Sequence, residues 1–166
     1  GKNDRLFYKF AHDRIQQAAY SLVEPDERAA THYRIGRQLL DYFGPDGLDR
    51  EAQIIANQFN LGLSCIVTDK ERHDLVALNR MAGQKAKAAL AFEPAMTYFK
   101  SAIEFLHEVG SEGSSENNTE RAWKTDYELC LSLYGEYAET AFLMSKYEEL
   151  YNLLALVIPQ THEPFD

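Results

Sequence analysis

Residues 75–106 read LVALNRMAGQKAKAALAFEPAMTYFKSAIEFL. Small residues recur at helical spacing, at Ala82, Gly83, Ala86, Ala95 and Ala102, and large ones stand between them, at Phe92, Tyr98, Phe99, Phe105 and Leu106. Two antiparallel helices pack closely in this way, with small residues where the backbones approach and aromatic rings in the gaps. Glu93-Pro94 marks the expected break between them, because proline suits a first helical turn and disfavours helix in the residue before it. One such pair leaves apolar faces open, so the chain is expected to be a stack of helical hairpins.

On the N-terminal side, Leu6–Phe10 is short, aromatic and partly alternating, and reads as a strand with no partner strand in the sequence. A helix is expected over residues 13–23, with Ile15, Ala18, Ala19 and Leu22 on one face. Pro25, with Asp26 and Glu27 beside the N-terminal dipole, opens a second helix, and Gly44-Pro45-Asp46-Gly47 is expected to end it. A third covers residues 48–61 and stops at Gly62. Thr68-x-x-Glu71 is a capping box for the fourth, which runs to about Leu90, and the fifth covers residues 94–109. The polar, Gly/Ser-rich residues 110–118 read as a loop. Thr119 is then expected to cap one long helix through Trp123, Tyr127, Tyr134 and Ala141. Ser145-x-x-Glu148 is a second capping box, for a seventh helix that Pro159 ends. The expected fold is therefore all-α: about seven helices in antiparallel hairpins after a remnant strand.

The 166 residues carry a formal charge of −9, and after Ser111 eleven acids face three bases, a local −8. No basic stripe meets a phosphate backbone, which argues against nucleic-acid binding. No apolar run approaches the ~18 residues of a membrane span, and no signal-peptide pattern stands at Gly1. Cys65 and Cys130 lie among apolar neighbours and read as reduced core thiols of a cytoplasmic protein. Catalytic patterns are thin. His12-Asp13 and His73-Asp74 lack the further ordered ligands of a metal phosphohydrolase. Glu104-x-x-His107 is one half of a di-iron carboxylate motif without the other half, and His107 fits a charge–dipole contact at a helix C-terminus. There is no Gly-rich phosphate loop and no nucleophile elbow. No cofactor is expected in this segment, and a free-standing helical metal-binding enzyme is the least favoured class.

Gly83, Ala95, Phe99 and Ala102 follow the tetratricopeptide spacing, although Asn79 stands where that pattern has Trp and His107 where it has Pro. Ala138, Leu150, Leu154 and Val157 continue the register, with Phe92 matched to Tyr147. In such stacks the first helix of each pair lines a concave face, which places Arg80, Gln84, Lys87 and Glu139 at a candidate groove for a protein or peptide.

The stretch Phe10-Ala-His-Asp-Arg-Ile-Gln-Gln-Ala-Ala-Tyr-Ser-Leu22, with Arg28, His32 and Ile35-Gly36 after it, resembles the end of the winged-helix module in STAND-type signalling ATPases. With Ile55–Asn60, Glu71-Arg72, Leu78-Asn79, Ala82–Lys87 and Trp123 before Tyr127, the set is similar to very large multidomain sensor histidine kinases. That resemblance implies that residues 1–44 end a winged helix and begin the helical region, and that 45–166 form a tetratricopeptide-like region. It also implies a non-catalytic module that links an ATPase switch to phosphorelay output domains. The same module in a STAND-type transcription regulator is the alternative. The resemblance further implies that His12 is a nucleotide sensor in the parent protein, against the plainer reading of a histidine that caps the strand–helix junction.

Overall fold

The computed structural model describes residues 13–110 and 117–161. The expected strand at Leu6–Phe10 and the candidate sensor His12 lie outside these residues. The described chain is all-α, a stack of helical hairpins: α1 (Asp13–Ser21), α2 (Pro25–Leu61), α3 (Asp69–Ala88), α4 (Phe92–Glu108), α5 (Asn118–Thr125), α6 (Tyr127–Leu143) and α7 (Tyr147–Val157).

The central hairpin, α3 with α4, follows from the small-and-large pattern. Ala82, Ala86, Ala95, Phe99 and Ala102 are fully buried. A Cβ on Gly83 would stand 2.6 Å from the Phe99 ring, so glycine is what lets the two helices meet there. Thr68 caps α3 as its sequence pattern requires: its hydroxyl accepts from the Glu71 N–H at 3.2 Å and donates to the Glu71 carboxylate at 3.1 Å.

Gly44 ends the first half of α2 as the sequence pattern requires, and three other local expectations are corrected. One residue, Gly44 at φ +60°, turns the chain, and Pro45 already stands in the first turn of the next helical segment, where its missing N–H costs nothing. The two halves of α2 then pack antiparallel. The Tyr33 and Phe59 rings meet edge to face at 5.8 Å, and Gly62 lets the chain pass against the Tyr33 backbone. At the central hairpin the break falls at Leu90, not at Glu93-Pro94. α4 begins at Phe92, so Pro94 still falls within the first turn, where no N–H is needed.

The long helix expected from Thr119 is two helices broken at Asp126 (φ −133°, ψ 49°), and Asn117 caps the first by accepting from the Thr119 N–H at 2.9 Å. Thr125 and Asp126 are poor helix formers, and the Thr125 hydroxyl bonds back to the Arg121 carbonyl at 3.0 Å. In this bent arrangement the Trp123 ring stacks on Tyr134 at 5.5 Å. The Ser145-x-x-Glu148 box does not form. Ser145 is consumed by the end of α6, at φ +57°, and has no capping bond to offer α7.

The turns α3–α4 and α6–α7 are built alike. Leu90 N–H bonds to the Lys87 carbonyl and Ala91 N–H to Ala86; Ser145 N–H bonds to Phe142 and Lys146 N–H to Ala141. These are the paired bonds of a Schellman motif, with Leu90 and Ser145 in the left-handed position. Equivalent turn residues are 55 apart, the spacing that also relates Phe92 to Tyr147.

Candidate functional site

Arg80, Gln84 and Lys87 occupy one edge of α3 at i, i+4 and i+7, one stripe of a helix. They face α6. Arg80 Nη2 donates to Ser132 Oγ at 2.6 Å, Gln84 Nε2 to Glu136 Oε1 at 2.5 Å, and Lys87 Nζ to Glu139 Oε2 at 2.6 Å. Each partner is 52 residues further along, so α3 and α6 run parallel with a polar seam between them. Glu136 is the centre of the seam: Arg80 Nε and Lys87 Nζ each lie 3.8 Å from its carboxylate. Glu136 is only 17% exposed, against 59% for Glu139, so its contacts are the less screened ones. Lys146, at the head of α7, spans to Glu93 at the head of α4 at 3.0 Å, a second lateral link of nearly the same register.

All four residues expected at a groove thus come together, but Arg80 and Gln84 bond across the seam to Ser132 and Glu136, and Lys87 bonds to Glu139. Arg80 and Gln84 also line a shallow depression with Asp49, His73, Ala77, Met81 and Leu129. Ser132 and Glu136 were missed. The repeat register was read from the apolar positions alone, whereas the seam follows a register three residues shorter.

Polar groups elsewhere hold neighbouring helices in place. Asn79 is fully buried and exchanges two amide hydrogen bonds with Asn60, at 2.8 and 3.0 Å, so α2 and α3 are pinned by a paired polar contact. The Tyr33 phenol donates to Glu71, which holds that carboxyl below the usual range, with the Thr68 bonds adding to the effect. His107 is not the cation at the end of α4. Burial, with the Arg121 charge beside it, pushes its pKa down, and its ring lies 3.3 Å from the Tyr134 hydroxyl. Arg121 takes the role instead, donating to the Val109 and His107 carbonyls at 3.0 and 2.9 Å. Cys130 is fully buried and its thiol is pushed up to about 12, chiefly by desolvation; Cys65 is half-buried. Among the described residues no group of three or more His, Cys, Asp or Glu is placed to hold a metal ion. Among them, too, no helix is long and apolar enough to cross a membrane.

In an alignment of 162 positions that covers 89% of the chain, it is 30% identical to hybrid signal transduction histidine kinase G of Dictyostelium discoideum. It spans only 5% of that protein. No family model matches the chain, and no solved structure does. The similarity places the chain in a signalling-protein context.

Proposed function

We propose that the chain is a non-catalytic coupling and interaction segment of a multidomain sensor histidine kinase. The observation that carries this reading is the extent of the similarity: it takes in 89% of the chain yet only 5% of a hybrid histidine kinase, as an internal segment of such a protein would. The stack supports the coupling role, because hairpins joined side by side by Glu136 and by the Lys146–Glu93 link transmit a displacement from one helix pair to the next. The partners are proteins, including neighbouring domains of the same chain, in the cytoplasm. The similarity to a kinase favours this output over a transcription regulator.

Phe10–Leu22 supports a finer reading, in which a STAND-type ATPase with its winged helix precedes a tetratricopeptide-like region that begins near residue 45. On that reading His12 senses bound nucleotide. His12→Ala in a longer chain that holds the ATPase then weakens ADP binding or raises ATP turnover; unchanged values for both remove the sensing role. The coupling role is tested by Glu136→Ala in a longer chain that carries the kinase. Stimulus-dependent histidine phosphorylation falls, while the circular dichroism of the isolated segment stays helical. Full signalling from that variant would sink the proposal.

A further inference from the structure

The two similar turns make the outer face of the α6–α7 hairpin legible. On α4, residues 93, 96, 100, 103 and 107 form one stripe that faces the following hairpin, since Glu93 reaches Lys146 and His107 reaches Tyr134. Within that stripe Met96 is 5% exposed and Ile103 8%. Carried forward by the 55-residue turn spacing, the stripe on and just after α7 contains Glu148, Tyr151 and Ile158. Here Tyr151 is 70% exposed and Ile158 54%. The same step carries the seam positions Arg80, Gln84 and Lys87 onto Gly135, Glu139 and Phe142 of α6. Phe142 is 57% exposed, and a Cβ on Gly135 would meet nothing within 4 Å.

We infer that this outer face, Gly135 and Phe142 of α6 with Glu148, Tyr151 and Ile158, docks one further amphipathic helix with a basic edge. The helix lies parallel to α6 and packs on α7 as α6 packs on α4. Three features fix its chemistry. Phe142, Tyr151 and Ile158 call for an aliphatic or aromatic stripe. The bare backbone at Gly135 admits a close helix approach. Glu148 stands where Glu93 stands in the preceding unit and accepts a lysine or arginine as Glu93 accepts Lys146. A second copy of the chain is the poorer occupant, because each copy brings a formal charge of −9 to the contact. The inference names a partner for the coupling role and in that respect rests on it.

The test uses a synthetic, labelled helix-forming peptide of about five turns, with a leucine stripe flanked by lysines, followed by fluorescence anisotropy on the purified chain. Saturable binding is expected. Tyr151→Glu and Ile158→Glu, both at exposed positions, each weaken it at least tenfold with unchanged circular dichroism, and Glu148→Lys weakens it several-fold. Absence of saturable binding, or equal binding by all three variants, overturns the inference. So does a concentration-dependent dimer that Tyr151→Glu abolishes, since that gives the face to a second copy. Loss of peptide binding with full kinase output in the longer chain leaves the docking face standing and removes only its coupling role.

Discussion

Two glycines separate what a helix needs from what a contact needs. Gly83 faces Phe99 at a distance no Cβ can occupy, whereas Gly135 faces open space. Gly83→Ala forces the two central helices apart and is expected to cost about 2 kcal/mol, in the range of core overpacking. Gly135→Ala meets no obstacle and is expected to add ~0.5–1 kcal/mol through helix propensity. Urea unfolding of both variants decides the matter, and the same sign for the two would contradict the packing described. His107 gives a residue-scale pH dependence. Its folded pKa lies below its ordinary 6.5, so the unfolded chain binds the proton more readily. Stability is therefore full above 6.5 and falls as the pH drops through the folded value. His107→Gln removes that part of the acid sensitivity, visible as a shallower fall of Tm between neutral and mildly acidic buffer.

At the scale of elements, the Schellman turns place ordinary residues where glycine is customary. Leu90 holds φ +60° with its side chain 75% exposed, so it has strain without compensating burial. Leu90→Gly is expected to leave stability unchanged or raise it by up to about 1 kcal/mol, whereas Leu90→Ile lowers it by more than that; chemical denaturation of the pair provides the check. The same turns explain which parts of the fold were legible. Ala82, Gly83, Ala86, Ala95, Phe99 and Ala102 announced the central hairpin because period, size and burial agree at every one of them. Thr68 announced its cap because nothing competes for it. Ser145 carries an equally good local pattern, but the chain leaves α6 so tightly that this residue must take the left-handed position, and a residue there cannot also be an N-cap. The break at Asp126 was hidden because the apolar repeat runs straight across it, from Trp123 to Tyr127. Of the site, Arg80, Gln84, Lys87 and Glu139 were legible as polar positions on first helices. Glu136 was not, because its importance lies in contacts 52 residues away.

Across the whole molecule, each hairpin is supported by the ones beside it, so stability grades along the stack. The α3–α4 hairpin has neighbours on both sides and holds most of the fully buried aromatic and aliphatic side chains, whereas Leu153 is the one buried residue of α7. Native-state hydrogen exchange is expected to show α3 and α4 amides exchanging last, by global unfolding, and α7 amides exchanging first through local opening. Protection in α7 equal to that in α4 would contradict this ordering.

The seam at Glu136 has a mechanical consequence. Gln84 bonds to it, while Arg80 and Lys87, held to Ser132 and Glu139, stand 3.8 Å away on either side along α3. A small slide of α6 along α3 brings one of these cations closer to Glu136 as it moves off its own partner, so the joint yields lengthwise. Pulling the helices apart instead breaks every contact together, and the joint is stiff in that direction. On the coupling role proposed above, an array of such joints works like a deck of cards: a push at one end travels as shear between neighbours, and no hairpin has to come undone to pass it on.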